Sequence, residues 1–223
     1  MSKVAVVAID GPSGVGKSTV SRGLAAKLGF TYLDTGAMYR AVGFACQQYG
    51  IDCNDEQQLA DLLRQLQLEL LPAVDDGDVQ VLVDGNEVGH LIRTPEMGMV
   101  ASVVSALPPV REHLTALQQK MGAAGKIVAE GRDTGTVVFP QAHWKFYLDA
   151  QPEIRMQRRA RQLREKGETV DEQELLMQIM KRDKADSERA IAPLKQASDA
   201  VYIDSSDKPV EEIIQLMFER VKG

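Results

Sequence analysis

Residues 4–19 read VAVVAIDGPSGVGKST, and this stretch decides the fold. Its first six residues form an apolar, largely β-branched run of the kind found in strands that are buried on both faces. Residues 11–18, GPSGVGKS, then match the GxxxxGK(S/T) pattern at every fixed position, and a helix-forming run follows. Such a loop folds its amides around an anion, with the positive end of the helix dipole behind it. The stretch therefore predicts a phosphate-binding loop; the alternative is a glycine-rich turn with an exposed lysine.

The positions of this loop have separate predicted roles. The glycines let the backbone wrap around the phosphates, Lys17 would bridge the β- and γ-phosphates, and the Ser18 hydroxyl would ligate Mg²⁺. The residues predicted to bind the nucleotide are Gly11, Pro12, Ser13, Gly14, Val15, Gly16, Lys17, Ser18 and Thr19.

Short β-branched runs alternate with helical patterns along the rest of the chain. Strands are predicted at residues 4–9, 30–33, 126–130, 145–149 and 200–204, and helices near 17–28, 36–49, 152–166, 171–189 and 209–222. This alternation is typical of an α/β fold in which helices flank a parallel β-sheet, as in the P-loop NTPases.

One segment breaks the alternation. LELL and VQVLVDGNEV, between residues 64 and 93, predict short strands, the second with a tight hairpin at Asp84–Gly85. Thr94 and Pro95 then predict the start of a helix that Pro108–Pro109 would end, and Arg111 would open the next. We expect a kinase-like core at 1–63 and 103–223, with a lid at about 152–170 and an inserted lobe at about 64–102.

Composition narrows the classes of function. With 223 residues and 44% hydrophobic content, the chain can form one sizeable core with a smaller lobe. A net charge of −6 argues against nucleic acid as a partner, because phosphate backbones need a broad basic face. The apolar run near the start is too short for a signal peptide or a membrane span, so we expect a cytoplasmic protein. The two cysteines are expected to be reduced, and nothing demands more than a monomer.

Arginines are the second chemical signal. Planar guanidinium groups stabilise the charge that spreads over the oxygens of a phosphoryl group in transfer. The run RMQRRARQLR at 155–164 alone is typical of a solvated helix face; beside a phosphate-binding loop, Arg155 and Arg159 become candidate lid residues. A regulatory GTPase would carry DxxG and NKxD strings, and neither occurs in the sequence.

Five segments in order resemble the bacterial-type cytidylate kinases, which are nucleoside monophosphate kinases. They are IDGPSGVGKST, YLDTGAMYRA, the serine and arginine of ASVVSALPPVRE, EGRDTGTVVFP and KRDKADSERAIAPL, and the resemblance runs from about residue 4 to 206. It implies Mg²⁺-dependent transfer of phosphate from ATP to CMP and dCMP. The alternatives are a P-loop kinase for another nucleoside monophosphate or small acceptor, and a nucleotide-binding regulator that hydrolyses slowly.

The resemblance also implies roles for individual residues. Arg40, Arg132 and Arg189 would hold the α-phosphate of the acceptor, and Ser102, Arg111 and Asp133 would recognise cytosine. The other implied pocket residues are Thr35, Tyr39, Arg182 and Asp186, the last accepting from the sugar hydroxyls. Any one of these is also consistent with a surface ion pair, for instance Arg182 or Arg189 with Asp186. Together with the loop and lid candidates, the predicted catalytic residues are Lys17, Arg132, Arg155, Arg159 and Arg189.

Two carboxylates are candidates for an indirect role near Mg²⁺. Glu130 would act on the ion without binding it directly, and Asp10 is the weaker candidate. No catalytic base is expected, because a nucleoside monophosphate offers an oxygen that is already ionised.

The triplet DTG occurs twice, at 34–36 and 133–135, as in the paired loops of aspartic proteases. The predicted βα alternation argues against that class, which has a β-rich body. Both triplets follow predicted parallel strands, whose carboxyl ends are where α/β proteins bind ligands. We therefore expect both to line one crevice beside the phosphate loop, with Asp34 shaping its own turn.

Overall fold

The computed structural model describes residues 5–53, 55–72, 78–165 and 167–223. The chain divides into two compact units, one formed by Met1–Phe30 with Gly125–Gly223 and the other by Thr31–Ala124. The predicted insert at 64–102 lies inside the second unit, which extends beyond it at both ends. The predicted boundaries of the insert and the lid stay predictions.

Helices and strands alternate in the order that the sequence predicts for an α/β protein. The strands are β1 (Val6–Asp10), β2 (Thr31–Asp34), β3 (Leu68–Leu71), β4 (Gln80–Val83), β5 (Asn86–Glu87), β6 (Ile127–Gly131), β7 (Trp144–Asp149) and β8 (Val201–Asp204). The helices are α1 (Lys17–Leu28), α2 (Thr35–Gln48), α3 (Glu56–Gln65), α4 (Gly89–Ile92), α5 (Pro95–Val104), α6 (Pro108–Gly122), α7 (Pro152–Glu165), α8 (Glu172–Glu188) and α9 (Val210–Lys222). A π-helical segment, Thr134–Val138, lies between β6 and β7.

The first unit is organised around parallel strands in the order β6-β1-β7-β8. β1 is central, with Ala8 paired to Ala129 on one side and to Lys145 on the other. All five residues of β1 are buried, as an apolar run covered on both faces requires. α1 packs against α9, and α7 packs against α8. The predicted parallel sheet flanked by helices is confirmed.

The second unit combines helices with a small antiparallel sheet in the order β3-β4-β5. Asp84 and Gly85 join β4 to β5 with φ values of 49° and 80°. Positive φ at both central residues is what a tight hairpin with the right-handed twist of strands needs. The predicted hairpin is confirmed.

Two helix boundaries differ from expectation. Thr94 caps α5 as predicted, accepting a hydrogen bond from the Met97 amide at 3.2 Å, but α5 ends at Val104, before the proline pair. Pro108 and Pro109 open α6, so the prediction that Arg111 would open it is wrong. Proline is favoured in the first turn of a helix because the amide hydrogen it lacks would have no partner there.

α3 and the two cysteines lie in the second unit. α3, which the sequence analysis did not predict, begins at an Asp55 cap that accepts from the amides of Gln57 and Gln58. Cys46 and Cys53 are both free thiols. The predicted first residue of β1, Val4, and the predicted last residue of α7, Lys166, lie outside the described residues. In the described part of the chain, no helix is long and apolar enough to cross a membrane.

Candidate active site

The phosphate-binding loop joins β1 to α1 in the first unit. Gly14 and Gly16 have φ values of 75° and 96°, in the left-handed region that favours glycine. At Gly11 the constraint is steric, because a Cβ atom there would overlap the backbone carbonyl of Leu148 at the end of β7. The glycines therefore permit both the curvature of the loop and its close approach to the sheet.

Lys17 is a buried side chain in the first turn of α1. Its Nζ donates to the backbone oxygen of Pro12 at 2.6 Å, so the side chain curls back over the loop. Burial, together with the charge of Arg132, lowers the pKa of Lys17 to about 7, while Glu130 acts in the opposite direction. An anionic ligand in this loop would restore the charge of the ammonium group.

Asp10 ends β1 and fixes the segment that follows β6. Oδ1 accepts from the Thr134 amide at 2.8 Å and from the Thr134 hydroxyl at 2.7 Å, and Oδ2 accepts from the Gly135 amide at 2.8 Å. Burial raises the pKa of Asp10, and these hydrogen bonds oppose the shift. Because both carboxylate oxygens accept from protein donors, Asp10 holds the second DTG turn against β1.

Glu130 and Ser18 are the two residues predicted to act on Mg²⁺, Ser18 directly and Glu130 indirectly. Glu130 is buried at the end of β6, and its charge raises the pKa of both Lys17 and Arg132, so it lies near both cations. Ser18 is exposed at the start of α1. Among the described residues no group of three or more His, Cys, Asp or Glu side chains could hold a metal. The Ser18 hydroxyl, together with phosphate oxygens, would supply the hard oxygen donors that Mg²⁺ prefers, so the residues present fit the ion.

In the first unit, two buried carboxylates, Asp186 and Asp133, pair with partly buried arginines. Arg132 Nε is 2.9 Å from Asp186 Oδ2, and Arg189 Nη2 is 3.3 Å from Asp133 Oδ1. Burial lowers the pKa of Arg132, but the charge and hydrogen bond of Asp186, together with the charges of Asp183 and Glu130, outweigh it, so the pKa is raised. Burial raises the pKa of Asp186, but the charges of Arg132, Arg182 and Arg189 and the hydrogen bond from Arg132 together outweigh it, so that pKa is lowered. The Arg132–Asp186 pair is therefore charged, and Arg182 and Arg189 also lie close enough to Asp186 to help lower its pKa.

The arginines of α7 have different surroundings. Arg155 is buried, and its Nη1 donates to the Ser13 carbonyl at 2.9 Å. Arg158 donates to the Val15 carbonyl at 3.4 Å and to the backbone and side chain of Ser205. Arg159 has a weak contact of 3.3 Å with Gln162 on its own helix. Arg155 and Arg158 therefore reach the phosphate loop, and the catalytic roles of Arg155 and Arg159 stay predictions.

Asp183 is a site residue that the sequence analysis missed. It lies on α8, one turn before Asp186, and accepts from the Ser13 amide at 3.0 Å. Its position inside KRDKADSERAIAPL, three residues before a predicted pocket residue, was the available signal. Arg182, beside it, donates to the Ser13 hydroxyl at 3.3 Å.

In the first DTG turn, which lies in the second unit, Asp34 shapes its own turn as predicted. Asp34 caps α2 by accepting from the Ala37 amide at 2.8 Å, and it pairs with Arg40 at 3.1 Å. Within the described residues, the buried Nε of Arg40 has no hydrogen-bond partner. Thr35 and Tyr39 are buried on the same helix. Arg40 thus keeps a buried donor that an anionic ligand can use.

Arg111, a predicted base-recognition residue, is fixed from two sides within the second unit. Its Nη1 donates to the Ser105 carbonyl at 3.1 Å, and its guanidinium carbon lies 5.6 Å from the centroid of the Tyr39 ring. Ser105 also donates through its hydroxyl to the Ser102 carbonyl at 2.9 Å. Ser105, another residue missed from the sequence, therefore connects Ser102 with Arg111.

The two units each contain part of the predicted site. The first brings together Lys17, Glu130, Arg132, Asp133, Arg182, Asp186 and Arg189, and the second contains Thr35, Tyr39, Arg40, Ser102 and Arg111. The two DTG aspartates have separate arginine partners, Arg40 for Asp34 and Arg189 for Asp133. This arrangement does not support a shared proton, whereas the single crevice expected for both triplets stays a prediction.

Comparison with known proteins gives the same family at nearly full length. A family model described as Cytidylate kinase matches residues 7–223. The chain is 47% identical over 217 residues to a cytidylate kinase of Geobacter sp. (strain M21), covering 97% of this chain and 92% of that protein. It is 45% identical over 213 residues to a cytidylate kinase of Carboxydothermus hydrogenoformans (strain ATCC BAA-161 / DSM 6008 / Z-2901), covering 96% and 95%.

The fold itself is also found among solved structures. An uncharacterized protein from Eubacterium ventriosum ATCC 27560 superposes with a TM-score of 0.54 at 12% identity, covering 98% of this chain and 99% of that one. At this identity the likeness concerns the fold alone.

Proposed function

The chain belongs to the cytidylate kinase family, and on that premise we propose that it transfers the γ-phosphate of ATP to CMP and to dCMP. The products are ADP and the cytidine or deoxycytidine diphosphate. The observation that carries the proposal is the placement of an anion-binding loop and two arginines paired with buried carboxylates in one unit of a chain that matches this family almost throughout.

The donor half of the reaction belongs to the phosphate loop. Lys17, held over the loop by its bond to Pro12, supplies the positive charge for the β- and γ-phosphates. Ser18 would hold Mg²⁺, with Glu130 acting on it indirectly. When bound, the ion neutralises charge on the phosphate oxygens and keeps them in a geometry suited to in-line transfer.

The phosphate of the acceptor is held by arginines. In the first unit, Asp186 contacts Nε of Arg132. This contact does not use the two terminal nitrogens of the guanidinium group, whose geometry suits two oxygens of a phosphate. Arg189 adds a second guanidinium, and Arg182 and Asp186 would contact the sugar. In the second unit, the buried Nε of Arg40 supports the same role.

Base recognition follows from hydrogen-bond complementarity. Cytosine offers acceptors at O2 and N3 and a donor at N4, so Ser102 and Arg111 can serve one edge while Asp133 accepts from the amine. Uracil would place an acceptor, O4, against the Asp133 carboxylate. Thr35 and Tyr39 complete the pocket, and the contacts of Arg111 with Ser105 and Tyr39 fix its guanidinium in advance.

The chemistry needs positioning more than proton transfer. The attacking oxygen of a nucleoside monophosphate is already ionised, so the residues must bring two anions together and exclude water. Arg155 and Arg159 are proposed to stabilise the transferred group from α7. A single arginine in such a role can contribute about 10³ to 10⁵ in rate.

A panel of acceptors tests this function. ADP release, measured in a coupled assay with ATP and Mg²⁺, should be fastest with CMP and dCMP and slower with UMP and AMP. Turnover strongest with AMP, or none with any monophosphate, would refute the proposal. ATP binding without turnover that depends on an acceptor would instead indicate a nucleotide-binding regulator.

Substitution separates the acceptor residues from the donor loop. Arg132→Ala and Arg189→Ala should raise KM for CMP or lower kcat far more than they weaken ATP binding. Arg161→Ala, which removes an exposed arginine of α7, is the matched control and should behave as the parent. Equal losses toward ATP and CMP would show that the acceptor roles are misplaced. A monomeric state and a cytoplasmic location stay predictions, and light scattering would test the first.

A further inference from the structure

Ser13 of the phosphate loop is held on three sides by two helices of the first unit. Its amide donates to Asp183 Oδ1 at 3.0 Å, its carbonyl accepts from Arg155 Nη1 at 2.9 Å, and its hydroxyl accepts from Arg182 at 3.3 Å. These partners lie far away in the sequence, on α7 and α8. No other residue of the loop has a comparable set of contacts in the described structure.

Asp183 connects two of these contacts. While Oδ1 accepts from Ser13, Oδ2 accepts from Arg155 Nη1 at 2.5 Å. The side chains of Arg155 and Asp183 are only 5% and 18% exposed, so water competes weakly for the pair. Arg155 is held further by Nε, which donates to the Ala150 carbonyl at 2.9 Å. The carboxylate thus orients the loop backbone and an arginine at the same time.

Asp183 lies on the helix that also carries residues proposed to bind the acceptor, while its side chain contacts the phosphate loop. Arg182, Asp186 and Arg189, which we propose for the acceptor, lie on the same helix or at its end. Asp183 precedes Asp186 by one turn and points its carboxylate to the loop instead. We infer that Asp183 is a positioning residue for phosphoryl transfer, fixing the phosphate loop at Ser13 and holding Arg155 against it. This inference rests on the proposed function only in its second test, which measures phosphate transfer to CMP.

The decisive variant is Asp183→Asn. The side chain keeps its shape and an oxygen for the Ser13 amide, but it loses the charge that Arg155 contacts. Glu188→Gln is the matched control, because it makes the same chemical change at an exposed position of the same helix. Asp183→Glu, which keeps the charge, tests rescue. Thermal unfolding sets the assay temperature, which is chosen so that the parent and all three variants are folded.

The first measurement needs no acceptor. A fluorescent ADP analogue carrying a methylanthraniloyl group is titrated into the parent and each variant. We expect the Kd to rise about tenfold for Asp183→Asn, the size that loss of one charge-assisted hydrogen bond gives. It should change less than about twofold for Glu188→Gln, as expected of an exposed surface substitution. A Kd for Asp183→Asn within the range of the control overturns the inference.

The second measurement separates positioning from general damage. For Asp183→Asn, KM for ATP should rise about tenfold and kcat should fall, while KM for CMP changes less than about twofold, because the Arg132–Asp186 and Arg189–Asp133 contacts do not include Asp183. Asp183→Glu should recover part of the loss. Equal increases in both KM values would mean a merely structural role and would overturn the inference. If the parent transfers no phosphate to CMP, the proposed function fails, and the analogue titration alone decides the role of Asp183.

Discussion

The pH dependence of nucleotide binding follows from the buried state of Lys17. Its pKa, lowered to about 7, means that at pH 8 about nine-tenths of the ligand-free protein carries a neutral lysine. Nucleotide phosphates favour the charged form, so binding must be accompanied by uptake of a proton on Lys17. Each pH unit above the pKa then costs about 1.4 kcal/mol of binding free energy, or a factor of about ten in Kd.

The assay is a titration of the fluorescent ADP analogue between pH 7.5 and 9, where the phosphates of the nucleotide stay ionised. From a pKa of about 7, the Kd should rise about 20-fold over this range. Lys17→Arg is the control: arginine stays protonated throughout, so its Kd, whatever its value, should be nearly constant. A constant Kd for the parent protein would refute the reasoning, since it would mean that Lys17 is charged before the ligand arrives.

Two further predictions concern the architecture around the loop. Asp10→Asn should lower the free energy of unfolding by about 1 to 3 kcal/mol in urea denaturation, because the new side-chain NH₂ group cannot accept from the buried backbone N–H of Gly135. A loss no larger than that of the exposed control Asp207→Asn would contradict this. Gly11→Ala should cost about 1 to 3 kcal/mol, since its methyl group would overlap the rigid Leu148 carbonyl, and an unchanged urea midpoint would show that the sheet can yield there.

Local patterns in the sequence predicted the features that depend on neighbouring residues. The loop between β1 and α1, the hairpin at Asp84–Gly85 and the Thr94 cap each follow from backbone preferences within a few residues. The wrong prediction that Pro108–Pro109 end a helix also came from a pattern within a few residues. A proline pair is compatible with either the end of one helix or the start of the next, and the pattern alone does not distinguish them.

Features that depend on distant residues were beyond such patterns. Asp183 reaches Ser13 across 170 residues of sequence, and Arg155 reaches it across 142. The arginine-rich sequence of α7 predicts a charged helix. It does not indicate that Arg155 is buried against the phosphate loop while Arg159 is not. The burial of Arg155 depends on how α7 and α8 pack beside the loop. Family resemblance supplied candidate roles for the acceptor residues, and it left out Asp183 and Ser105, whose contacts are mainly with other protein groups.

The central position of β1 has a consequence for synthesis of the chain on the ribosome. Both strands that pair with β1 come late, β6 beginning at Ile127 and β7 at Trp144. At about 5–20 residues per second, the apolar segment from Val6 to Ile9 waits roughly 6 to 25 seconds for its first partner. During that time it is an unpaired strand of the kind that chaperones bind and that other nascent chains can capture. The segment that defines the nucleotide site is thus translated well before both of its partner strands and can pair only after they have emerged.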